Sequence, residues 1–108
     1  MTESASSVPG AWISPDPGIR RRVLNHVPQL MTVEVAFDRG AEGRPHSHPH
    51  VQASFVAEGR FRVTIDGHTR ELGAGEAFVV APDLVHGVVA LEPGRLIDVF
   101  TPRRDDFL

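Results

Sequence analysis

The chain predicts an all-β domain, either a sandwich or a closed barrel, and three observations carry that prediction. Met31, Val33, Val35 and Phe37 alternate with Thr32, Glu34, Ala36 and Asp38, the period of two expected of a half-buried strand. Phe61, Val63 and Ile65 alternate with Arg60, Arg62 and Thr64 and lead directly into Asp66-Gly67. That pair is a two-residue hairpin signal, because glycine accepts positive φ without steric cost. No long window places apolar residues at i, i+3, i+4 and i+7, so no amphipathic helix has a stripe to form on.

The remaining elements follow the same pattern. Ser54 to Glu58 is a short extended run, and Gly73 and Gly75 break the chain before Ala77 to Val80. Gly87 to Leu91 and Leu96 to Thr101 complete the series, with Pro93-Gly94 as the turn between them. Residues 1 to 10 are rich in Ser, Ala, Pro and Gly, and Ala11 to Gly18 is expected to be an irregular piece pinning Trp12 onto the domain. The expected organisation is therefore a flexible N-terminal segment over residues 1–18 and one domain over residues 19–108. The ending Arg103-Arg104-Asp105-Asp106-Phe107-Leu108 turns from charged to apolar, so Phe107 and Leu108 are expected to dock.

Composition narrows the chemistry. A length of 108 residues suits one domain with a thin core. The formal net charge of -3 gives no electrostatic reason for a nucleic-acid or membrane partner. The start, Met1-Thr2-Glu3-Ser4, has neither a basic stretch nor an apolar run, so a cytoplasmic location is expected. Cysteine is absent, which excludes disulfides, thiolate zinc sites and thiol nucleophiles. All 11 basic residues are arginine, so a lysine Schiff base is excluded, and no tyrosine is present to act as an acid. Histidine, carboxylates, serine and arginine remain.

The histidines are the chemical signal. His46, His48 and His50 fall at alternate positions, which on an extended strand face one way, and Gln52 keeps that parity. Pro49 lacks a donor and interrupts the run, so all four side chains are not expected to converge. His86 lies far downstream, after Ala81-Pro82-Asp83-Leu84. His-x-His, then a glutamine, then a distant histidine favours a metal site over unrelated surface histidines. His50 is assigned to the rim or the surroundings of the site, and His26 and His68, which lack partners at metal spacing, to the surface. Ser47 has no base at useful spacing. Arg20-Arg21-Arg22 reads as an exposed or edge-strand charge cluster rather than a substrate site.

These residues resemble the cupin superfamily. Gly40, His46, His48, Gln52 and Gly59 match the spacing of its first motif. Gly75 through His86 match its second, with Asp83 where glycine is usual. The resemblance implies a cupin β-barrel, the double-stranded β-helix or jelly roll, holding one divalent metal ion through His46, His48, Gln52 and His86. Three imidazoles and an amide oxygen suit Zn, Ni, Fe or Mn. Glutamate is usual at position 52; a neutral amide leaves the full dipositive charge on the ion, which weakly favours non-redox chemistry.

Within the cupins, His46-Ser47-His48-Pro49-His50-Val51-Gln52, His86 to Glu92 and Ile97 to Leu108 are similar to the KdgF family, although Val51 departs from the acidic residue often found there. Family members are small dimeric cupins of pectin and alginate breakdown that convert unsaturated monouronates from the ring to the linear keto form. The resemblance thus implies a homodimer, a small anionic sugar-derived substrate, and an isomerase-type reaction in which the metal binds the substrate carboxylate and a neighbouring oxygen. Asp98 shares a strand face with Leu96 and Phe100, and an acid there is costly to bury without a purpose, so it is the candidate general acid/base. Phe100 would shape the sugar pocket, and Arg104 would hold the carboxylate in a bidentate fork. The competing readings are a metal-dependent dioxygenase acting on a small organic compound, and a non-catalytic sugar-binding cupin.

Overall fold

The computed structural model describes residues 9–108. Ten strands run in chain order: β1 (Ile13–Asp16), β2 (Ile19–Val27), β3 (Leu30–Phe37), β4 (Glu42–His46), β5 (Val51–Glu58), β6 (Arg60–Ile65), β7 (His68–Gly73), β8 (Ala77–Val80), β9 (His86–Ala90) and β10 (Gly94–Thr101). A single 3-10 turn, η1 (Asp105–Phe107), follows. The strands form two antiparallel sheets, of order β1-β2-β3-β10-β5-β8 and β4-β9-β6-β7. Neighbours in the sheets are distant in sequence, β3 beside β10 and β4 beside β9, as in a jelly roll. Among the described residues no helix is long and apolar enough to cross a membrane.

Alternation decides which side chains enter the space between the sheets. On β10, Leu96, Asp98 and Phe100 are buried while Ile97 and Val99 face outward. On β5, Gln52, Ser54 and Val56 point in and Val51, Ala53 and Phe55 point out. The apolar interior divides in two. One cluster gathers Ile19, Phe37, Val56, Phe61, Val63, Leu72, Phe78, Val80, Ala90 and Leu96. The other is smaller, with Met31, Val33 and Phe100 joined by Val23, Val35 and Phe107. On β10, Asp98 sits between Leu96 of the first cluster and Phe100 of the second. A polar layer therefore interrupts the core where Asp98 faces inward on β10.

The motif residues have structural reasons. Gly59 links β5 to β6 at φ +84, and a Cβ there would lie 2.6 Å from the Pro93 carbonyl oxygen, so only glycine lets this turn pass beneath the β9–β10 connection. Asp83, where glycine is usual, has φ 69, a conformation short polar residues tolerate better than others. The Asp66-Gly67 turn joins β6 to β7 with positive φ at both residues, as a two-residue hairpin requires.

Three expectations are corrected. Residues 13–16 are not an irregular extension: β1 pairs antiparallel with β2, and the sheet begins before residue 19. The expected flexibility of residues 1–8 lies outside the described residues. His46, His48 and His50 do not share one strand, because β4 stops at His46 and the chain reverses through Ser47–His50 before β5. At the C-terminus, Phe107 docks against Phe100 with ring centroids 5.7 Å apart, whereas Leu108 stays exposed.

Candidate metal centre and its cavity

His46 ends β4, His86 begins β9 directly opposite it in register, Gln52 lies on β5 of the other sheet, and His48 comes from the loop between. The ligand atoms of His46, His48 and His86 all lie within 4.8 Å of one another, so these three residues could hold a metal ion. His48 and His86 are buried and His46 is exposed, which leaves the cluster one open side.

Each ring is oriented from behind. His46 Nδ1 lies 2.9 Å from the Arg44 carbonyl oxygen, His48 Nδ1 3.1 Å from that of His50, and His86 Nδ1 2.9 Å from that of Leu84. A carbonyl only accepts, so each Nδ1 carries a proton, and a ring that carries no second proton presents a bare Nε2. Burial pushes the His48 and His86 pKa values down from the ordinary histidine value, favouring that neutral form. Gln52 Oε1 stands 3.0 Å from His48 Nε2 and 3.1 Å from His86 Nε2. Three acceptor atoms thus face one another at close range with no proton among them. Such an arrangement is repulsive by itself and is resolved by a cation, so the donor set fits a divalent ion of the borderline class.

The amide of Gln52 is held from its other end. Its Nε2 donates to Ser54 Oγ at 2.9 Å, and Ser54 Oγ donates to Asp98 Oδ1 at 2.6 Å. This chain runs across β5 to β10, where Ser54 and Asp98 are register partners. It aims the carbonyl of Gln52 at the histidines and links the centre to a buried carboxyl. Burial raises the Asp98 pKa to about 6, with the Ser54 hydrogen bond and the Arg104 charge opposing the rise.

A cavity of about 500 Å³ opens over these groups; His46, Gln52, His86, Asp98, Phe100 and Arg104 all line it. That volume lies within the roughly 300–1,000 Å³ of small-ligand sites. Phe100 is both core and wall, since it belongs to the smaller apolar cluster and stands edge-on to His48 at 5.7 Å. Arg104 reaches the cavity, but its fork is filled: Nε and Nη2 donate to the two carboxylate oxygens of Asp106 at 3.0 and 2.9 Å. Its guanidinium also stacks over Phe107 at 4.3 Å. His50 lends its carbonyl to His48 and no ligand atom to the cluster. His68 is exposed on β7, and His26 lies against Arg103 at 3.3 Å.

Three residues of the site were not expected from sequence. Ser54 shares the inward parity of Gln52 and Val56, and Arg21 shares that of Ile19 and Val23, so both were visible as polar residues on apolar faces. Reading Arg20-Arg21-Arg22 as one exposed cluster was therefore wrong for Arg21, which lines the cavity; only its neighbours point outward. Asp106 gave no signal beyond standing two residues from Arg104.

The cupin domain family matches residues 33–100. The pectin degradation protein KdgF of Dickeya dadantii is 44% identical over 99 residues, covering 90% of each chain. The structure of KdgF from Halomonas sp. aligns with a TM-score of 0.87 at 49% identity, covering 91% of both chains. An RmlC-like cupin from Shewanella frigidimarina aligns with a TM-score of 0.88 at 42% identity over 92% of this chain and 89% of its own.

Proposed function

Because this chain belongs to the cupin family, within its KdgF group, we propose that it opens the ring of 4,5-unsaturated monouronates and delivers the linear keto form. The observation that carries this reading is the placement of Asp98. Its carboxyl is buried, lines the same cavity as the histidine cluster, and lies two hydrogen bonds from Gln52 Nε2, the other end of the amide whose Oε1 faces the histidines. A group poised to take up and return a proton beside a cation site is what the reaction needs.

His46, His48, Gln52 and His86 would hold one divalent ion, Zn, Ni, Fe or Mn, through three Nε2 atoms and Oε1. When bound there it supplies positive charge that polarises a substrate oxygen. The proton work falls to the protein. Asp98, ionised, accepts the proton of the anomeric hydroxyl. The bond from the anomeric carbon to the ring oxygen breaks, an aldehyde forms, and the electron pair goes to the former ring oxygen as an enolate. Protonation at the alkene carbon, by the acid form of Asp98, then gives the ketone. Atoms are conserved and nothing is oxidised, so no co-substrate is required. Phe100 closes one wall and keeps water from the carboxyl.

The test is incubation of metal-loaded protein with a lyase-generated 4,5-unsaturated monouronate while the absorbance of the conjugated double bond is followed. Decay faster than in buffer, with the linear keto acid as product, is expected; decay indistinguishable from buffer sinks the reading.

A homodimer is the assembly proposed. The outward face of the six-stranded sheet supports it: Val51, Phe55 and Val79 are exposed, with Ile97 and Val99 in register beside Phe55 and Ala53. A contiguous apolar surface of this kind marks an association face. Its polar flank is already self-satisfied, since Glu34 is gripped by Arg22 at 2.9 Å and Arg95 at 3.1 Å. Phe55→Arg is expected to shift the sedimenting species from dimer to monomer; a wild-type protein that sediments as a monomer at micromolar concentration excludes the assembly.

A further inference from the structure

The cavity contains an arginine that no described acid or carbonyl holds. Three arginines line it. Arg44 is paired with Asp16 at 2.7 Å, and Arg104 is gripped by both oxygens of Asp106. Arg21 makes no ion pair and no side-chain hydrogen bond with any described residue. Its guanidinium carbon sits over the ring of Phe107, 3.9 Å from the centroid. The side chain is half-buried on the inward face of β2, level with Ile13 and Val35. Burial and the nearby Arg104 charge both work against its protonated form, while Asp106 and Asp16 only partly offset them. A desolvated guanidinium with all its donors unspent is an anion site, and its planar fork matches a carboxylate. Asp98, the remaining acid of the cavity, is committed to Ser54.

We propose that Arg21 takes the carboxylate of the substrate and thereby sets the preference of this site for an acidic sugar over a neutral one. The inference rests on the uronate reading above and deepens it. It also reassigns a role: Arg104, neutralised by Asp106, shapes and stiffens the wall through Phe100 and Phe107, while the free charge belongs to Arg21. Phe107 positions the Arg21 fork by stacking, which gives the docked C-terminal turn a purpose.

The test compares the unsaturated uronate with its methyl ester, which has the same ring and double bond but no charge. Wild type is expected to favour the acid. Losing one charge-assisted bidentate contact is worth about 10- to 100-fold. Arg21→Met should therefore raise KM for the acid by about tenfold or more, with kcat changed far less, and leave kcat/KM for the ester near the wild-type value. Arg21→Lys, which keeps the charge and loses the fork, should recover part of the preference. A variant in which acid and ester fall together marks a packing role under Phe107 and overturns the assignment, as does a wild type with no preference for the acid. Calorimetry with galacturonate separates this inference from the parent reading. If wild type turns over neither compound but binds galacturonate, and Arg21→Met does not, Arg21 keeps its role and only the reaction is lost. If wild type does not bind galacturonate and turns over neither compound, both fail.

Discussion

His86→Ala is expected to empty the metal centre. Removing one of three imidazoles costs more than the about 10- to 100-fold typical of losing a ligand's supporting partner. Metal content should fall from about one ion per chain to less than a tenth, and turnover of the unsaturated uronate should fall by at least about 100-fold. The candidate centre joins β4 and β9 of one sheet to β5 of the other, so a bound ion would also clamp the two sheets together. At 100 times its dissociation constant the ion should stabilise wild type by about 2.7 kcal/mol, seen as a higher melting temperature, and His86→Ala should lose that gain. His68→Ala, an exposed residue of the edge strand β7 that contributes no ligand atom to the cluster, is the control and should keep both metal and melting shift. Elemental analysis and melting curves with and without added ion decide the matter. A His86→Ala protein that retains stoichiometric metal removes this residue from the ligand set.

Asp98→Asn should separate chemistry from metal binding. Its amide keeps the size and can still accept from Ser54, so Gln52 stays aimed and the metal content should be unchanged. Without a group to carry the proton, kcat should fall by about 10²- to 10⁴-fold. The pH dependence follows from the raised pKa of about 6. The ionised form is the one that accepts the anomeric proton, so wild-type kcat/KM should fall as pH drops through that value or, with a cation nearby, somewhat below it. Stability moves the opposite way. The folded protein binds this proton more tightly than the unfolded chain does, so the contribution of Asp98 is fully present below the ordinary value of 3.8 and is lost as pH rises to about 6. A rise of roughly two pKa units corresponds to about 3 kcal/mol. Metal-free Asp98→Asn should therefore be more stable than metal-free wild type at pH 8, by up to that amount, and nearly equal to it at pH 3.5. The histidines are common to both proteins, so their contributions cancel in the difference. Equal denaturation midpoints at pH 8 would show that Asp98 is not strained by burial, and the general acid/base assignment would lose its physical basis.

Asp98 and Arg104 show how differently a role can be legible. An acid between Leu96 and Phe100 on an alternating strand is buried by parity alone, and parity is a local property of the chain. Arg104 carried no such local signal; its expected hold on a carboxylate came from the family resemblance alone. Whether its fork meets a substrate or a neighbour depends on how the last turn folds back, and Asp106 occupies it. Arg21 was legible in the same way as Asp98, through the parity of Ile19 and Val23, but the two flanking arginines masked it. His46 and His48 come together through a geometry that spacing did not suggest: β4 ends at His46 and His48 lies in the connection to β5, so they do not share a strand face.

By itself the sequence determined the all-β class, most of the strands, the inward placement of Gln52 and Asp98, and which histidines to look at for a candidate metal centre. Each of these follows from a period of two, from glycine and proline at the joints, or from motif spacing, all of which act over a few residues. The tertiary structure alone decided that β4 and β9 meet so that His46 faces His86, that Gln52 reaches Asp98 through Ser54, and that Arg21 has no hydrogen-bond or ion-pair partner among the described residues while Arg104 is held. Those outcomes depend on which strands become neighbours across the two sheets, and strand neighbourhood is set by packing between segments tens of residues apart.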